Sequence, residues 1–226
     1  MPVCPALGQR ISLRRLLPNA AFCGADDILV SGCTCDSRKV QPGDLFAALP
    51  GSRSHGRDYV DEAIERGAAA VLTEPGPPLT GMPSCVVANA REAFGRVQQA
   101  LAGDPSHTLR VIGVTGTNGK TTTSWLIASV LSAAGHETGV LGTLGYFDGV
   151  TFDDAPWTTP PPDRLAALLA RIAHNGCSHV VMEVSSHALA QERVAGVRFD
   201  AACLTNVDRD HLDYHRSLQN YRQTKS

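Results

Sequence analysis

A glycine-rich segment with a lysine and hydroxyl groups carries the clearest chemical signal in this sequence. It consists of Gly116, Thr117, Asn118, Gly119, Lys120, Thr121 and Thr122. In such a turn the backbone N–H groups and the amino end of the following helix bind phosphate oxygens, the lysine reaches the terminal phosphates, and Thr121 is placed to ligate Mg²⁺. The long phosphate-loop formula has glycine where Val114 stands, so the match is to the shorter form GxxGK[ST]. A plain glycine-rich turn is the alternative, and the strand and helix predicted on either side favour a nucleotide site.

Two further polar segments follow predicted strands. Glu183 stands at the carboxyl end of HVVME, where ligands bind to doubly wound sheets, and its carboxylate can hold Mg²⁺ or orient a water. Ser185 and Ser186 are good helix-capping residues, which is a structural role compatible with the first. The segment 205–215, TNVDRDHLDYH, is dense in oxygen and nitrogen ligands, although a solvated loop is the alternative. We expect His211 to meet Glu183 and the phosphates at a metal cluster.

The pair Thr158 and Thr159 precedes three prolines and the helical stretch DRLAALL. Threonine and proline at this position are common at helix starts, so a structural role is the default. Two adjacent hydroxyl groups beside a phosphate site also suit an anionic substrate.

The spacing of apolar residues predicts two α/β domains. Residues 1–104 contain short apolar runs broken by Pro and Gly, with a helical pattern in GRDYVDEAIERGA, and indicate a small α/β domain. The polar stretch 102–110, AGDPSHTLR, is typical of a linker. Residues 105–226 alternate strands with long helices, which predicts a doubly wound parallel sheet with Trp125 and Leu126 in the core of its first helix. Because the chain stops at Ser226 inside a helical pattern, we expect this second domain to be incomplete.

Composition narrows the function classes. The chain has 226 residues, 43% hydrophobic residues and a net charge of -2, so nothing in its overall charge attracts nucleic acid or an anionic membrane. No apolar run is long enough for a membrane span, and the scattered cysteines indicate reduced thiols, so we expect a cytoplasmic protein. Cys33 and Cys35 lack a second pair at zinc-ligand spacing, so a zinc site is not expected.

Taken together, these segments resemble the Mur ligases, the ATP-dependent enzymes that build the peptide of peptidoglycan. GTNGKTT is similar to the phosphate loop of the superfamily, which folylpolyglutamate synthetases share, and DSRKVQPGDLF resembles the UDP-binding domain. TTP, EVSSHALAQERV and TNVDRDHLDYH are similar to the members that add the third amino acid. The resemblance implies an ATP-dependent ligase acting through an acyl phosphate on UDP-MurNAc-L-Ala-D-Glu. The amino acid added is meso-diaminopimelate or L-lysine, with the former favoured, and we expect a monomer.

The resemblance also implies roles for individual residues. Cys35 and Ser37 match positions that contact the uracil-ribose end of the UDP-substrate. The residues matching the diphosphate loop are Ser52, Arg53 and Ser54. The muramoyl-peptide part is held by the residues matching Thr158, Thr159, Ser185, Gln191 and Arg193.

For the reacting end, the resemblance implies a metal-assisted site with two Mg²⁺ ions. Lys120 contacts phosphate, while Thr121, Glu183 and His211 match metal-site positions. Lys225 matches a lysine that such enzymes carbamylate with CO₂, which turns a cation into a carboxylate-like metal ligand.

Several alternatives remain open at this stage. Because the third domain of such ligases supplies the amino-acid site, we expect the 226-residue chain alone not to ligate. A non-catalytic fragment that only binds a UDP-sugar or a nucleotide is one rival. A folylpolyglutamate-type ligase is a second, which DSRKVQPGDLF argues against. An ordinary phosphate-loop kinase or GTPase is a third, and it leaves Lys225 and the TTP segment without a role.

Overall fold

The computed structural model describes residues 10–51 and 54–208, together with 217, 219 and 224. The chain divides into two units, Met1–Gly103 and Asp104–Ser226, which we call unit one and unit two.

Unit one is built on a mostly parallel sheet. Its elements in chain order are β1 (Ile11–Ser12), α1 (Leu13–Leu16), β2 (Ala21–Cys23), β3 (Leu29–Val30), β4 (Cys33–Thr34), β5 (Leu45–Ala47), α2 (Val60–Glu65), β6 (Ala70–Thr73), β7 (Ser84–Val86) and α3 (Ala90–Leu101). The strand order is β2-β7-β6-β5-β4, in which only β2 pairs antiparallel, while β1 and β3 form a separate antiparallel ribbon. Short 3₁₀ turns lie at Ser37–Lys39 and Gly56–Tyr59.

The apolar positions of β5 and β6 explain why unit one holds together. Both strands are buried along their whole length, because helices cover both faces of a parallel sheet. Helix α3 packs on one face through Phe94 and Val97, and Asn89 caps its start by accepting from the N–H groups of Arg91 and Glu92. The α/β character predicted for this part of the chain is confirmed.

Unit two carries the glycine-rich turn. Its elements are β8 (Arg110–Thr115), α4 (Lys120–Ala133), β9 (Thr138–Gly142), β10 (Gly145–Phe147), β11 (Phe152–Asp153), α5 (Pro162–His174), β12 (His179–Glu183), α6 (Ser186–Ala190) and β13 (Ala201–Leu204). The strand order is β11-β10-β9-β12-β8-β13, and β9, β12, β8 and β13 pair in parallel. The predicted doubly wound parallel arrangement is therefore confirmed for these strands.

The other edge of this sheet differs from the prediction. β10 pairs antiparallel with β9 and with β11, because only two residues, Thr143 and Leu144, separate β9 from β10, and only the four residues 148–151 separate β10 from β11. So short a connection makes a hairpin, whereas a parallel crossover needs a dozen or more residues.

Two smaller expectations are wrong. The stretch 102–110 is not a plain linker, since Pro105 and Ser106 are buried in a 3₁₀ turn that leads into β8. Leu126 is 62% exposed and is not a core residue. The buried residues of helix α4 are Ser124 and Ala128, which face the sheet. Leu126 lies two residues after Ser124, which places it about 200° around the helix and therefore on the side away from the sheet. Trp125 is partly buried, with its ring 6.3 Å from that of Phe152.

The register of the parallel strands brings four chain segments to one edge of the sheet. Glu183 lies opposite Val114, Leu204 lies opposite Thr115, and Met182 lies opposite Leu141. The carboxyl ends of β8, β9, β12 and β13 therefore meet, which is where open α/β sheets bind their ligands.

Candidate functional site

The glycine-rich turn joins β8 to α4 through a backbone that requires glycine at two positions. Gly116 has φ 145° and Gly119, the residue that caps α4, has φ 82°. Other residues rarely adopt such conformations. A Cβ atom at position 116 would also collide with the hydroxyl of Thr205, so the loop packs closely against the segment after β13.

Lys120 is the first residue of α4 and folds back over the loop. Its Nζ donates to the carbonyl oxygens of Gly116 at 2.8 Å and Thr117 at 3.0 Å. Because the first N–H groups of a helix lack partners within it, this cation and the first turn of α4 together make a site for an anion.

Asn206, in the segment that follows β13, holds the loop in place and was not predicted as a site residue from the sequence. Its side chain accepts from the Asn118 N–H and donates to the Asn118 carbonyl, both at 3.0 Å, while its own carbonyl accepts from the Thr117 N–H at 2.9 Å. Thr205 adds a hydroxyl bond to the Asn118 carbonyl at 2.7 Å. Two of the loop's N–H groups are therefore engaged by the protein itself.

Glu183 ends β12 with its carboxylate buried beside the loop. The residue is 1% exposed, and its Oε2 accepts from the hydroxyls of Thr121 and Thr143, each at 3.1 Å. Its Oε1 accepts from the Thr143 N–H at 2.9 Å. A Cβ at Gly142 would collide with Oε1, so the glycine makes room for the carboxylate. The predicted proximity of Glu183 to the phosphate loop is confirmed by these contacts.

Thr143 was also missed, although the rule that located Glu183 would have found it. It directly follows β9, whose carboxyl end lies beside that of β12. Its hydroxyl lies 3.1 Å from that of Thr158, so it connects Glu183 to the first threonine of the TTP segment.

The two threonines of that segment are placed differently. Thr159 is 1% exposed, and its hydroxyl donates to the Glu183 carbonyl at 2.9 Å and accepts from the Ser185 N–H at 3.0 Å. Ser185 in turn caps α6 by accepting from the Ala188 N–H, so the predicted capping role is confirmed. Thr158 is only partly buried.

Arg193 and Gln191 extend this arrangement beyond α6. The guanidinium donates to Gln191 Oε1 from Nε at 3.0 Å and from Nη2 at 2.8 Å, and to the Thr159 carbonyl from Nη1 at 3.0 Å. Between them, Glu192 has φ 56°, a left-handed conformation that is costly for this residue type. Strain of this kind persists only where the surroundings fix the backbone, and here the N–H groups of Glu192 and Arg193 bond the carbonyls of Leu189 and Ala188 at 3.1 and 2.9 Å.

The uracil-site residues predicted in unit one lie around the 3₁₀ turn at 37–39. The Ser37 hydroxyl donates to Glu62 Oε2 at 2.6 Å and the residue is largely buried, while Cys35 is exposed. A hydrogen bond from Arg38 lowers the pKa of Asp36, which caps this turn. Ser54, predicted for the diphosphate loop, accepts from the Tyr59 hydroxyl at 3.1 Å.

Four predicted site residues, Ser52, Arg53, His211 and Lys225, lie outside the described residues. Across the described ranges, no group of three or more His, Cys, Asp and Glu side chains is close enough to hold a metal ion. The Thr121 hydroxyl and the Glu183 carboxylate are nevertheless the hard oxygen donors that Mg²⁺ takes, and they lie side by side at the phosphate loop. The donor set therefore fits Mg²⁺.

Family models identify the class of protein that this fold and site define. The model described as "Mur ligase family, catalytic domain" matches residues 29–104, and the "Mur ligase middle domain" matches residues 114–226. The chain belongs to the Mur ligase family, as the sequence resemblance indicated.

Within this family, the chain is similar to ligases of one name. The chain is 43% identical over 227 residues to the UDP-N-acetylmuramoyl-L-alanyl-D-glutamate–2,6-diaminopimelate ligase of Alkalilimnicola ehrlichii, an alignment that covers 95% of this chain and 46% of the relative. The ligase of the same name from Geobacter sulfurreducens is 46% identical over 198 residues, an alignment that covers 87% of this chain and 39% of the relative. The chain thus spans less than half the length of these relatives.

Solved structures agree with the fold. A structure of a ligase with that same name superposes with a TM-score of 0.79 at 31% identity, covering 96% of this chain and 44% of the other. MurF from Acinetobacter baumannii superposes with a TM-score of 0.59 at 20% identity, which supports the fold alone. Within the described residues, no helix is both long enough and apolar enough to cross a membrane.

Proposed function

We propose that this chain carries the UDP-substrate-binding and ATP-binding parts of a ligase that adds meso-diaminopimelate to UDP-MurNAc-L-Ala-D-Glu in peptidoglycan synthesis. The observation that carries the proposal is the hydrogen bond between Thr121, on the helix that follows the phosphate loop, and the buried carboxylate of Glu183. Similarity to the named diaminopimelate ligases supports the choice of substrate and amino acid.

The reaction joins a carboxylate to an amine with ATP as the driving reagent. A carboxylate oxygen of the dipeptide takes the γ-phosphoryl group from ATP and ADP leaves. The amine then attacks the acyl carbon, inorganic phosphate leaves, and the nitrogen gives up a proton as the amide forms. Neither step needs a covalent bond to the protein, so the task of the site is to position the reactants and to stabilise developing charge.

The residues of unit two suit this task. Lys120 and the first turn of α4 would hold the phosphates, and Asn206 keeps the loop in shape by bonding both the N–H and the carbonyl of Asn118. Thr121 donates its hydrogen to Glu183, so its oxygen lone pairs remain available for Mg²⁺, and the Glu183 carboxylate supplies a second oxygen ligand. When bound, Mg²⁺ would screen the charge on the transferring phosphoryl group.

We extend the proposal to the predicted substrate and metal residues. Thr158, Gln191 and Arg193 would hold the muramoyl-peptide part, with Thr159 and Ser185 fixing the backbone beside them. In unit one, Cys35, Ser37 and Ser54, with Ser52 and Arg53, would bind the UDP part. His211 and a CO₂-derived carbamate on Lys225 would complete the metal ligands of a monomeric cytoplasmic enzyme.

Calorimetric titration of the purified chain with Mg²⁺-ATP and with UDP-MurNAc-L-Ala-D-Glu tests the proposal. We expect both to bind, and we expect Lys120→Ala to weaken ATP binding by at least about tenfold, because it removes the charge closest to the phosphates. Lys39→Ala, which changes a lysine of unit one, is the matched control and should leave ATP binding unchanged. A chain that binds neither compound, or an unchanged ATP affinity in Lys120→Ala, would refute the assignment.

A further inference from the structure

We propose that Thr143 is a positioning residue that joins Glu183 to Thr158 and leaves the Thr158 hydroxyl as a hydrogen-bond acceptor toward the substrate. The proposal rests on the ligase function proposed above. It assigns a role to the short turn between β9 and β10, which no motif in the sequence marked.

Thr143 contacts the Glu183 carboxylate through two hydrogen bonds. Its N–H bonds Glu183 Oε1 at 2.9 Å and its hydroxyl bonds Oε2 at 3.1 Å, so a single residue contacts both oxygens. Gly142 adds a steric limit, because its missing Cβ leaves the space that Oε1 occupies. Together these contacts fix the plane of the carboxylate, and residues that orient a metal ligand tune the affinity for the metal.

The Glu183 carboxylate also fixes the direction of the hydrogen bonds that involve Thr143 and Thr158. A carboxylate oxygen only accepts, so the single hydrogen of the Thr143 hydroxyl is directed to Glu183 Oε2. The Thr143 oxygen must then accept from the Thr158 hydroxyl, which lies 3.1 Å away. The chain of donors runs from Thr158 through Thr143 to Glu183.

This direction determines what Thr158 can offer a ligand. Its hydrogen is used within the protein, so only its oxygen lone pairs face outward. The substrate group opposite Thr158 is therefore a donor, such as a peptide N–H, and not an anionic oxygen. Thr159 offers no alternative hydroxyl, because it is 1% exposed and its hydroxyl both donates to and accepts from the backbone.

The test of the metal arm compares ATP affinity with and without Mg²⁺. Thr143→Val removes the hydroxyl, keeps the N–H and lies at an exposed position. We expect it to reduce the enhancement of ATP affinity by Mg²⁺ by about tenfold, while the affinity measured in EDTA stays within about twofold. Thr143→Ser restores the hydroxyl and should recover the wild-type enhancement. Thr108→Val, at the opposite end of β8, is the matched control and should behave like the wild type.

The test of the substrate arm is a double-mutant cycle on the affinity for UDP-MurNAc-L-Ala-D-Glu, with Thr143→Val and Thr158→Val. If the two hydroxyls act through one chain of hydrogen bonds, the two losses should not add. The double variant should then have the same substrate affinity as the single variant that binds the substrate less tightly. Circular dichroism establishes that each variant is folded.

The outcomes separate this proposal from the proposed function. A chain that binds ATP and the UDP-substrate, but in which Thr143→Val keeps its full Mg²⁺ enhancement or the two substitutions add independently, overturns the role of Thr143 alone. A wild-type chain that binds neither compound overturns both.

Discussion

Replacing Glu183 by glutamine separates the structural role of this buried side chain from its role toward a metal ion. Glutamine has the same shape but offers one acceptor and one donor group. Its oxygen can take the place of Oε1 and accept from the Thr143 N–H, which leaves its NH₂ group facing the hydroxyls of Thr121 and Thr143. Both hydroxyls can rotate to accept, so the number of hydrogen bonds is conserved.

The expected change in stability follows from these contacts. A hydrogen bond to a charged group contributes about 1.5–3 kcal/mol and a neutral one about 0.5–1.5 kcal/mol, but removing a buried charge offsets that loss. We therefore expect Glu183→Gln to change the free energy of unfolding by about 1 kcal/mol or less in metal-free buffer. Glu183→Ala leaves the Thr143 N–H and two hydroxyls without their partner, and should cost about 2–3 kcal/mol. For a chain of this size that is roughly 4–12 °C in the thermal midpoint.

Thermal unfolding in EDTA and calorimetry of ATP binding with and without Mg²⁺ measure the two roles. Both variants should lose the Mg²⁺ enhancement of ATP affinity, whereas only the alanine variant should unfold at a clearly lower temperature. The reasoning is refuted if Glu183→Gln destabilises the chain as much as Glu183→Ala, or if it keeps the wild-type response to Mg²⁺.

Three further predictions concern the scaffold. Tyr146→Phe should lower the free energy of unfolding by about 1–3 kcal/mol in urea denaturation, because the fully buried hydroxyl donates to the Trp157 carbonyl at 2.5 Å and this acceptor would lose its partner. Ile172→Ala, in a side chain that is 0% exposed and packs against Gly139, should cost about 2–5 kcal/mol in the same assay. Burial, together with the nearby charges of His136 and Arg110, lowers the pKa of His179 below its ordinary 6.5. The unfolded chain therefore binds a proton more readily, and the free energy of unfolding should fall as the pH drops below about 6.5. His179→Gln should flatten the profile of thermal midpoint against pH.

The parallel part of the sheet could be predicted from the sequence because its signals are local. RVIGV and HVVME are rich in consecutive apolar residues, as strands buried on both faces require. A segment long enough for a helix follows each of them before the next strand begins. The antiparallel edge was missed because ETGVLGTLGY contains two strands around a two-residue turn, and its apolar residues give no sign of the reversal. The exposure of Leu126 was missed because apolar residues lie on both sides of α4: Ile127 and Leu131 pack against the core, whereas Leu126 and Val130 are exposed, so hydrophobicity alone does not mark the buried side.

Some residues of the candidate site could likewise be predicted from the sequence, and others could not. Lys120, Thr121 and Glu183 could be found because motif spacing and the carboxyl ends of strands determine where they lie. Asn206 acts through bonds to the loop backbone at Thr117 and Asn118, and Thr143 acts through bonds to the Glu183 carboxylate; such contacts depend on how four strand ends meet. The hydrogen bond between Thr158 and Thr143 depends on the same meeting of strand ends. The sequence suggested an anionic group opposite Thr158, and the hydroxyl direction that we propose favours a donor; both stay predictions.

The burial of Glu183 is itself an argument about function. A carboxylate taken out of water costs several kcal/mol unless a cation or strong donors compensate it. Among the described residues, its side-chain oxygens accept hydrogen bonds only from uncharged groups, two hydroxyls and one N–H, while the Lys120 ammonium donates to the loop carbonyls of Gly116 and Thr117. A fold that needed only packing or hydrogen bonds at this position would be served as well by glutamine. The negative charge is therefore best explained by a cation that binds beside Thr121, and the metal-free stability of Glu183→Gln measures that difference directly.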